Sequence, residues 1–313
     1  MHSRSGAAGD QRAWQPWHAG RSPGECHRQG PSHGVRRCRR SHHHDTLRRQ
    51  HGRRQLREYI PVIDILASPD LVALRAADVI TEGLASLCGG TLGLATGATM
   101  LQIYARLVDR FRSGAISFCE VTFFNLDEYI GIPCTATGSF RTFMHRCFFD
   151  LVDVDPARAH LPDGMSSDVS SEALRYEALI RASGGIDLQL LGIGSNGHIG
   201  FNEPGSDFGS RTREVLLTEA TRVANAPYFA KGAEVPHRAV TMGIGTILES
   251  RKILLIATGK HKAEAISAAL SGPLSTACPA SALRRHPNVH IICDAAAASH
   301  IVGCLAVQTQ WMA

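Results

Sequence analysis

TLGLATGATMLQIYARLVDRF, residues 91–111, is the stretch on which the fold turns. It opens as a short apolar run, bends at a Gly/Thr turn and continues as a helical pattern from Met100 to Phe111. A strand that feeds a helix through such a turn is half of a βαβ unit, and the same alternation recurs on both sides. Upstream, SPDLVALRAADVITEGLASL (68–87) has helical spacing, with Ser68 placed to cap and Pro69 at the first helical position. Downstream, the strand-like runs ISFCEVTFFNLDEY (116–129), IDLQLLGIG (186–194), KILLIATG (252–259) and VHIICD (289–294) are separated by helical patterns. Those patterns are SFRTFMHRCFFDLV (139–152), SSEALRYEALIRAS (170–183) and HKAEAISAALSG (261–272). Strands alternating with helices predict an α/β fold with a mainly parallel sheet covered on both faces. Near-continuous apolar strands suit that burial.

The net charge of +5 is divided unevenly. Residues 1–57 hold thirteen Arg against three acids, so this segment carries +10 and the rest of the chain −5. The segment has no helical or strand periodicity and few aliphatic residues, and is expected to be a disordered basic Arg/His-rich extension, inert or arising from a misplaced start. A nucleic-acid arm and metal binding by His42, His43 and His44 are the alternatives; no second cluster is spaced to complete a metal site, and no nucleic-acid partner is expected. The folded domain is expected over 58–301, with 302–313 as a tail or partial helix. No apolar run reaches the roughly 18 residues of a membrane span, and no signal core opens the chain. Nine Cys, an odd number and none in C-x-x-C, read as reduced thiols of a cytoplasmic protein with no membrane partner.

In open α/β sheets ligands sit outside the carboxyl ends of the strands. The strand ends here read ATGAT, NLDEY, GIGSNGH and ATGKHK. LGLATGATM (92–100) brings a Gly/Thr turn to a helix start, either an ordinary turn or a phosphate cradle of backbone N–H groups with Thr96 and Thr99 as further donors. It is neither a Walker A loop nor G-x-G-x-x-G. Asp127 and Glu128 follow a hydrophobic strand; in extended chain they point to opposite sides, so one at most faces a pocket, where it would serve as a general base. LLGIGSNGHIGFNEP (190–204) places His198 within a few residues of Asn196 and Glu203 on a Gly-rich loop, the pattern of an oriented proton-transfer histidine. Metal ligation is not expected there, because no second His or Cys stands at ligand spacing. Lys260 or Lys262, where a strand enters a helix, could pair with a phosphate.

Together these segments resemble the glucosamine-6-phosphate deaminases. The matching pieces come in the family's order over about residues 60–300: LGLATGATM, NLDEYIGIP, SFRTFMHRCFF, GIGSNGHIGFNEPGSDFGSRT, AVTMGIGTIL, GKHKAEAI and PASALRRHPNVHIICDAAAAS. The related 6-phosphogluconolactonases share a similar His loop but lack F-N-E-P and N-L-D-E-Y, which ranks that reading second, beside a non-catalytic sugar-phosphate sensor. The resemblance implies a modified Rossmann-like sheet and an isomerising deamination without metal or cofactor: glucosamine 6-phosphate becomes fructose 6-phosphate and ammonia in amino-sugar catabolism. Carried over by position, Asp127 is the base between C2 and C1, and His198 assists ring opening, with Glu203 holding it and Asn196 completing the chain. Thr96, Gly97, Ala98, Thr99, Gly197 and Lys262 bind the substrate or its phosphate. Several members form homo-oligomers, and the resemblance extends that expectation here.

The chain departs from the family at several points. Asn196 stands where Asp is frequent, Ala98 and Met100 replace a Gly or Ser and a Pro of the phosphate loop, and Pro227 in ANAPYF occupies the place of an Arg that contacts phosphate. Arg213 matches the first of a basic pair tied to allostery, but Val215 stands where the Lys belongs, so allostery of that kind is expected to be weak or absent. Because the matching motifs all lie beyond residue 57 and only the net positive charge is confined to residues 1–57, a chain starting at Glu58 is expected to release ammonia from glucosamine 6-phosphate as the full chain does; a loss of activity on truncation would assign the extension a role.

Overall fold

The computed structural model describes residues 58–87 and 89–301 and the backbone of 309–311. The basic extension, Cys88 and most of the C-terminal tail lie outside the described residues. The strands are β1 (Val62–Leu66), β2 (Thr91–Leu94), β3 (Thr122–Asn125), β4 (Asp127–Tyr129), β5 (Ala159–His160), β6 (Leu188–Gly192), β7 (Arg213–Leu216), β8 (Arg238–Thr241), β9 (Lys252–Ala257), β10 (Val289–Asp294) and β11 (Thr309–Trp311). The helices are α1 (Pro69–Ala85), α2 (Ala98–Arg112), α3 (Phe140–Cys147), α4 (Val169–Ala182), α5 (Glu219–Asn225), α6 (Ile244–Leu248) and α7 (Ala263–Ser271).

Eight strands form one sheet in the order β11-β1-β10-β9-β6-β2-β3-β5, and every pair in it is parallel. The expected α/β architecture is therefore present. From β2 the chain steps outward through β3 to β5; from β6 it steps the other way through β9 to β10. The reversal falls between β2 and β6. The inner strands are buried along almost their whole length, β10 throughout. Burial on both faces explains their unbroken apolar runs.

Helix starts follow the expected chemistry. Ser68 Oγ accepts the Leu71 N–H at 3.4 Å, with Pro69 opening α1. Asp168 caps α4 by accepting from Ser171 N at 3.0 Å. The helical pattern over 139–152 is interrupted instead of continuous: α3 ends at Cys147 and a 3₁₀ turn takes over at Phe149–Leu151. Phe148 at the break is buried in an aromatic cluster with Tyr104, Phe118 and Phe123. Packing of that ring outweighs the local helical preference. At the other end of the chain, Thr309–Trp311 runs as a strand beside β1 where a tail or partial helix was expected.

The strand-like run 116–129 also divides. β3 stays in the main sheet, Leu126 leaves it, and β4 joins β8 and β7 in a separate antiparallel sheet of order β4-β8-β7. That small sheet has its own core of Tyr129, Phe201, Leu217, Val235 and Ala239. Gly164 lets the neighbouring loop lie on β4: a Cβ there would stand 1.9 Å from the Tyr129 carbonyl oxygen. Gly164→Ala is therefore expected to destabilise the protein by at least the ~1–3 kcal/mol typical of overpacking, read as a lower thermal midpoint; an unchanged midpoint would show that the contact yields.

Candidate active site

The four motifs singled out in the sequence lie at the carboxyl ends of β9, β6, β2 and β3, which are consecutive in the sheet. They flank the β2/β6 reversal, where open α/β sheets form their ligand crevice.

The loop after β6 orders its polar groups in a chain. Asn196 Nδ2 donates to Glu203 Oε2 at 2.8 Å, and His198 Nδ1 lies 2.7 Å from Asn196 Oδ1. A carboxylate only accepts, so the Asn196 amide must present its NH₂ to Glu203 and its oxygen to the imidazole. His198 Nδ1 then carries the proton and donates it to Asn196, which leaves Nε2 with a free lone pair when the ring is neutral. Glu203 itself is farther from Nδ1, at 3.7 Å. Gly194 makes room for the ring, since a Cβ there would fall 2.2 Å from it. Burial raises the Glu203 pKa, but the nearby His198 ring and hydrogen bonds from Thr221 and Asn196 outweigh it and hold the carboxyl at about 2.

Asp127 and Glu128 part as adjacent strand residues must. Glu128 Oε1 accepts from the Tyr129 and Phe140 N–H groups and Oε2 from Arg141 N, each at 2.9 Å. It thereby satisfies the first turn of α3, which Ser139 Oγ completes by accepting from Thr142 N. Asp127 is buried on the other side, paired with Thr241 of β8. Gly200 (φ +55°) crosses over it, and a methyl there would stand 3.4 Å from Asp127 Oδ2. The His198 loop thus ends against the Asp127 carboxylate. Burial, then the charge of Glu128, push Asp127 up to about 8 against a hydrogen bond from Thr241. Burial likewise raises Glu128. The linkage signs oppose each other. Asp127 takes stability away as pH rises from the ordinary carboxylate range to about 8. Glu203 contributes stability above that range and loses it as pH falls toward about 2.

At the end of β2, Gly97 (φ +114°) caps α2 without a side chain, whereas α1, α3, α4 and α5 are capped by Ser68, Ser139, Asp168 and Thr218. Thr96, Gly97 and Thr99 are half-buried and Ala98 is exposed. Beyond β9, Lys262 is half-buried while Lys260 is exposed. Burial alone lowers the Lys262 pKa; no carboxylate partner for it occurs among the ion pairs of the described residues. A desolvated ammonium without a counter-charge favours an anion. The loop is fixed by Asp294, whose carboxylate accepts from Gly259 N at 2.9 Å.

Pro227 sits in a 3₁₀ turn, Ala226–Tyr228, after α5. Nearby Arg222 is engaged by Glu219, by His237 at 3.2 Å and by Glu234 at 3.8 Å. Arg213 donates to Asn202 Oδ1 at 2.8 Å and Ser206 Oγ at 3.2 Å, which ties it to the loop beyond His198. Residues not singled out by sequence also contribute: Thr218 and Thr221 donate to Glu203, and Thr241 stands beside Asp127. The T-x-x-T spacing of 218–221 marks a helix cap but not its carboxylate partner.

A cavity of about 310 Å³ lined by Arg181, Arg211, Glu249 and Ser250 lies at the amino ends of β6 and β9, away from these groups. Among the described residues no cluster of three or more His, Cys, Asp or Glu could hold a metal, and no helix is long and apolar enough to cross a membrane.

Comparison with known proteins identifies the family. The sequence model of the glucosamine-6-phosphate isomerases/6-phosphogluconolactonases matches residues 67–291. A glucosamine-6-phosphate deaminase of Shewanella loihica is 50% identical over 239 residues, 76% of this chain and 89% of the relative. One from Rhodopirellula baltica is 48% identical over 242 residues, covering 77% and 96%. The solved structure of a monomeric glucosamine-6-phosphate deaminase superposes with a TM-score of 0.74 at 42% identity, over 76% of this chain and 99% of that one. A 6-phosphogluconolactonase from Trypanosoma brucei, 22% identical with a TM-score of 0.62 over 78% of this chain and 99% of its own, shares the fold. The chain belongs to the glucosamine-6-phosphate isomerase/6-phosphogluconolactonase family.

Proposed function

We propose that the chain is a glucosamine-6-phosphate deaminase: it converts glucosamine 6-phosphate and water to fructose 6-phosphate and ammonia, as a hydrolase of a carbon–nitrogen bond that also shifts an aldose to a ketose. The observation that carries this reading is a buried carboxylate, Asp127, meeting the end of a loop whose histidine has a fixed tautomer. Identities of 48–50% to curated deaminases support it.

In this reading His198 Nε2 takes the proton of the anomeric hydroxyl and returns it at the ring oxygen, which opens the ring. Asn196, held by Glu203, keeps the Nδ1–H tautomer and aims the other nitrogen. Asp127 then removes the C2 proton while O1 gains a proton given up by the substrate ammonium, giving an amino-enol, and Asp127 returns the C2 proton at C1. The resulting imine adds water at C2 and expels ammonia, leaving the ketone. Gly197 supports the substrate from the His198 loop. The phosphate lies at the start of α2, on Thr96, Gly97, Ala98 and Thr99, where Lys262 supplies the counter-charge. The free cysteines among the described residues suit the reducing cytoplasm.

A base must be ionised to act. With Asp127 held up to about 8, kcat/KM is expected to rise with pH through that value. Asp127→Asn is expected to abolish ammonia release while a phosphate-bearing ligand still binds. A pH profile flat through that range, or an active Asn variant, would remove Asp127 as the base.

Pro227, together with an Arg222 that is already engaged, favours a second reading, a sugar-phosphate binder without turnover. Ammonia release by the wild-type chain excludes it; binding without release supports it. Under the deaminase reading, Pro227→Arg is expected to lower KM, by up to the ten- to hundredfold (~1.5–3 kcal/mol) of one charged hydrogen bond. An unchanged KM would mean that Lys262 and the α2 start hold the phosphate unaided.

A further inference from the structure

Helix α5 buries a single side chain, and it is Thr221. Short surface helices ordinarily dock by apolar residues, yet here Val223 is 63% exposed. What Thr221 meets is Glu203: its hydroxyl donates to Oε1. Thr218, the cap of the same helix, reaches the same oxygen at 3.1 Å while accepting the Thr221 N–H at 3.2 Å. Oε2, the other oxygen, takes the Asn196 amide at 2.8 Å. Among the described residues Glu203 has no Lys or Arg partner, and His198 at 3.7 Å is the one ionisable group paired with it. The carboxylate is therefore oriented by neutral donors, and losing one of them is not masked by a nearby cation.

We infer that Thr221, with Thr218 beside it, is a positioning residue of the His198 relay: its hydroxyl holds Glu203 turned toward Asn196, and through that bond the segment 217–237 is anchored on the relay itself. The deaminase reading supplies the reaction in which this acts. With the hydroxyl in place Glu203 offers Oε2 to Asn196, Asn196 offers its oxygen to His198, and Nε2 stays free. Without it the carboxylate can rotate toward the imidazole, and the amide loses the partner that fixes its orientation.

Thr221→Val keeps the shape and removes the hydroxyl; Thr221→Ser keeps the hydroxyl and removes a methyl. The expected result is a kcat about tenfold lower or more for Val, the loss of one hydrogen bond to a charged group, with KM little changed, the pH profile displaced and most of the rate restored in Ser. In parallel, ring-nitrogen NMR of His198, assigned by its absence in His198→Gln, is expected to show one Nδ1–H tautomer in wild type and Ser and a mixture in Val. A Val variant matching wild type in rate and tautomer, or a Ser variant as impaired as Val, overturns the inference. If the wild type releases no ammonia, the deaminase reading fails, and the NMR comparison still decides this one.

Discussion

The seating of β2 beside β6 is the constraint on which everything at the site depends. These two strands pair in parallel over a short register, Leu92 with Leu188 and Gly93 with Gln189, yet they join the two halves of the main sheet. Chain progression reverses across that pair, so the loops leaving the two strands diverge and open a crevice between them. One loop turns into α2 through Gly97 and the other folds back through His198 to Glu203. Had the strands been separated by another, the start of α2 and the His198 loop would stand a further strand spacing of about 4.8 Å apart.

The second sheet solves a different problem. A general base must be buried enough to be strong, and burying a carboxylate without partners is costly. Asp127 sits in β4, which belongs to the small antiparallel sheet although it follows β3 after one residue. Thr241 on the neighbouring strand supplies a hydrogen bond, Gly200 leaves the space above it, and Tyr129 of the same strand packs with Phe140 and Phe201. Each core thus backs one part of the site, the large one the start of α2 and the small one the strand that carries Asp127.

Much of this was legible in the sequence because its signals are local. Ser68 and Pro69 announce a helix start, and four strand ends carry small residues, carboxylates, a histidine and lysines where a parallel sheet would gather them. Asn196, His198 and Glu203 are close in sequence, so one loop can bring them together. What was not legible depends on distant partners. The run through Leu126 has strand character throughout, and periodicity cannot say that its two halves pair with different sheets. Helical spacing over 139–152 does not reveal that Phe148 turns into the core. Thr218 and Thr221 read as a cap because their carboxylate partner lies 15 or more residues away.

Asp127 and Glu128 carry the same formal charge, and composition does not tell them apart. Their surroundings make them unlike. The longer arm of Glu128 reaches the amides of α3 and surrenders its acceptors to them, while the shorter Asp127 keeps its oxygens for the crevice. The order of the two letters is therefore a mechanical specification. It sets arm length on one face and reach on the other, and the helix it braces becomes a lever on the acidity of its neighbour: how firmly α3 grips Glu128 governs how much negative potential Asp127 feels across the peptide bond between them.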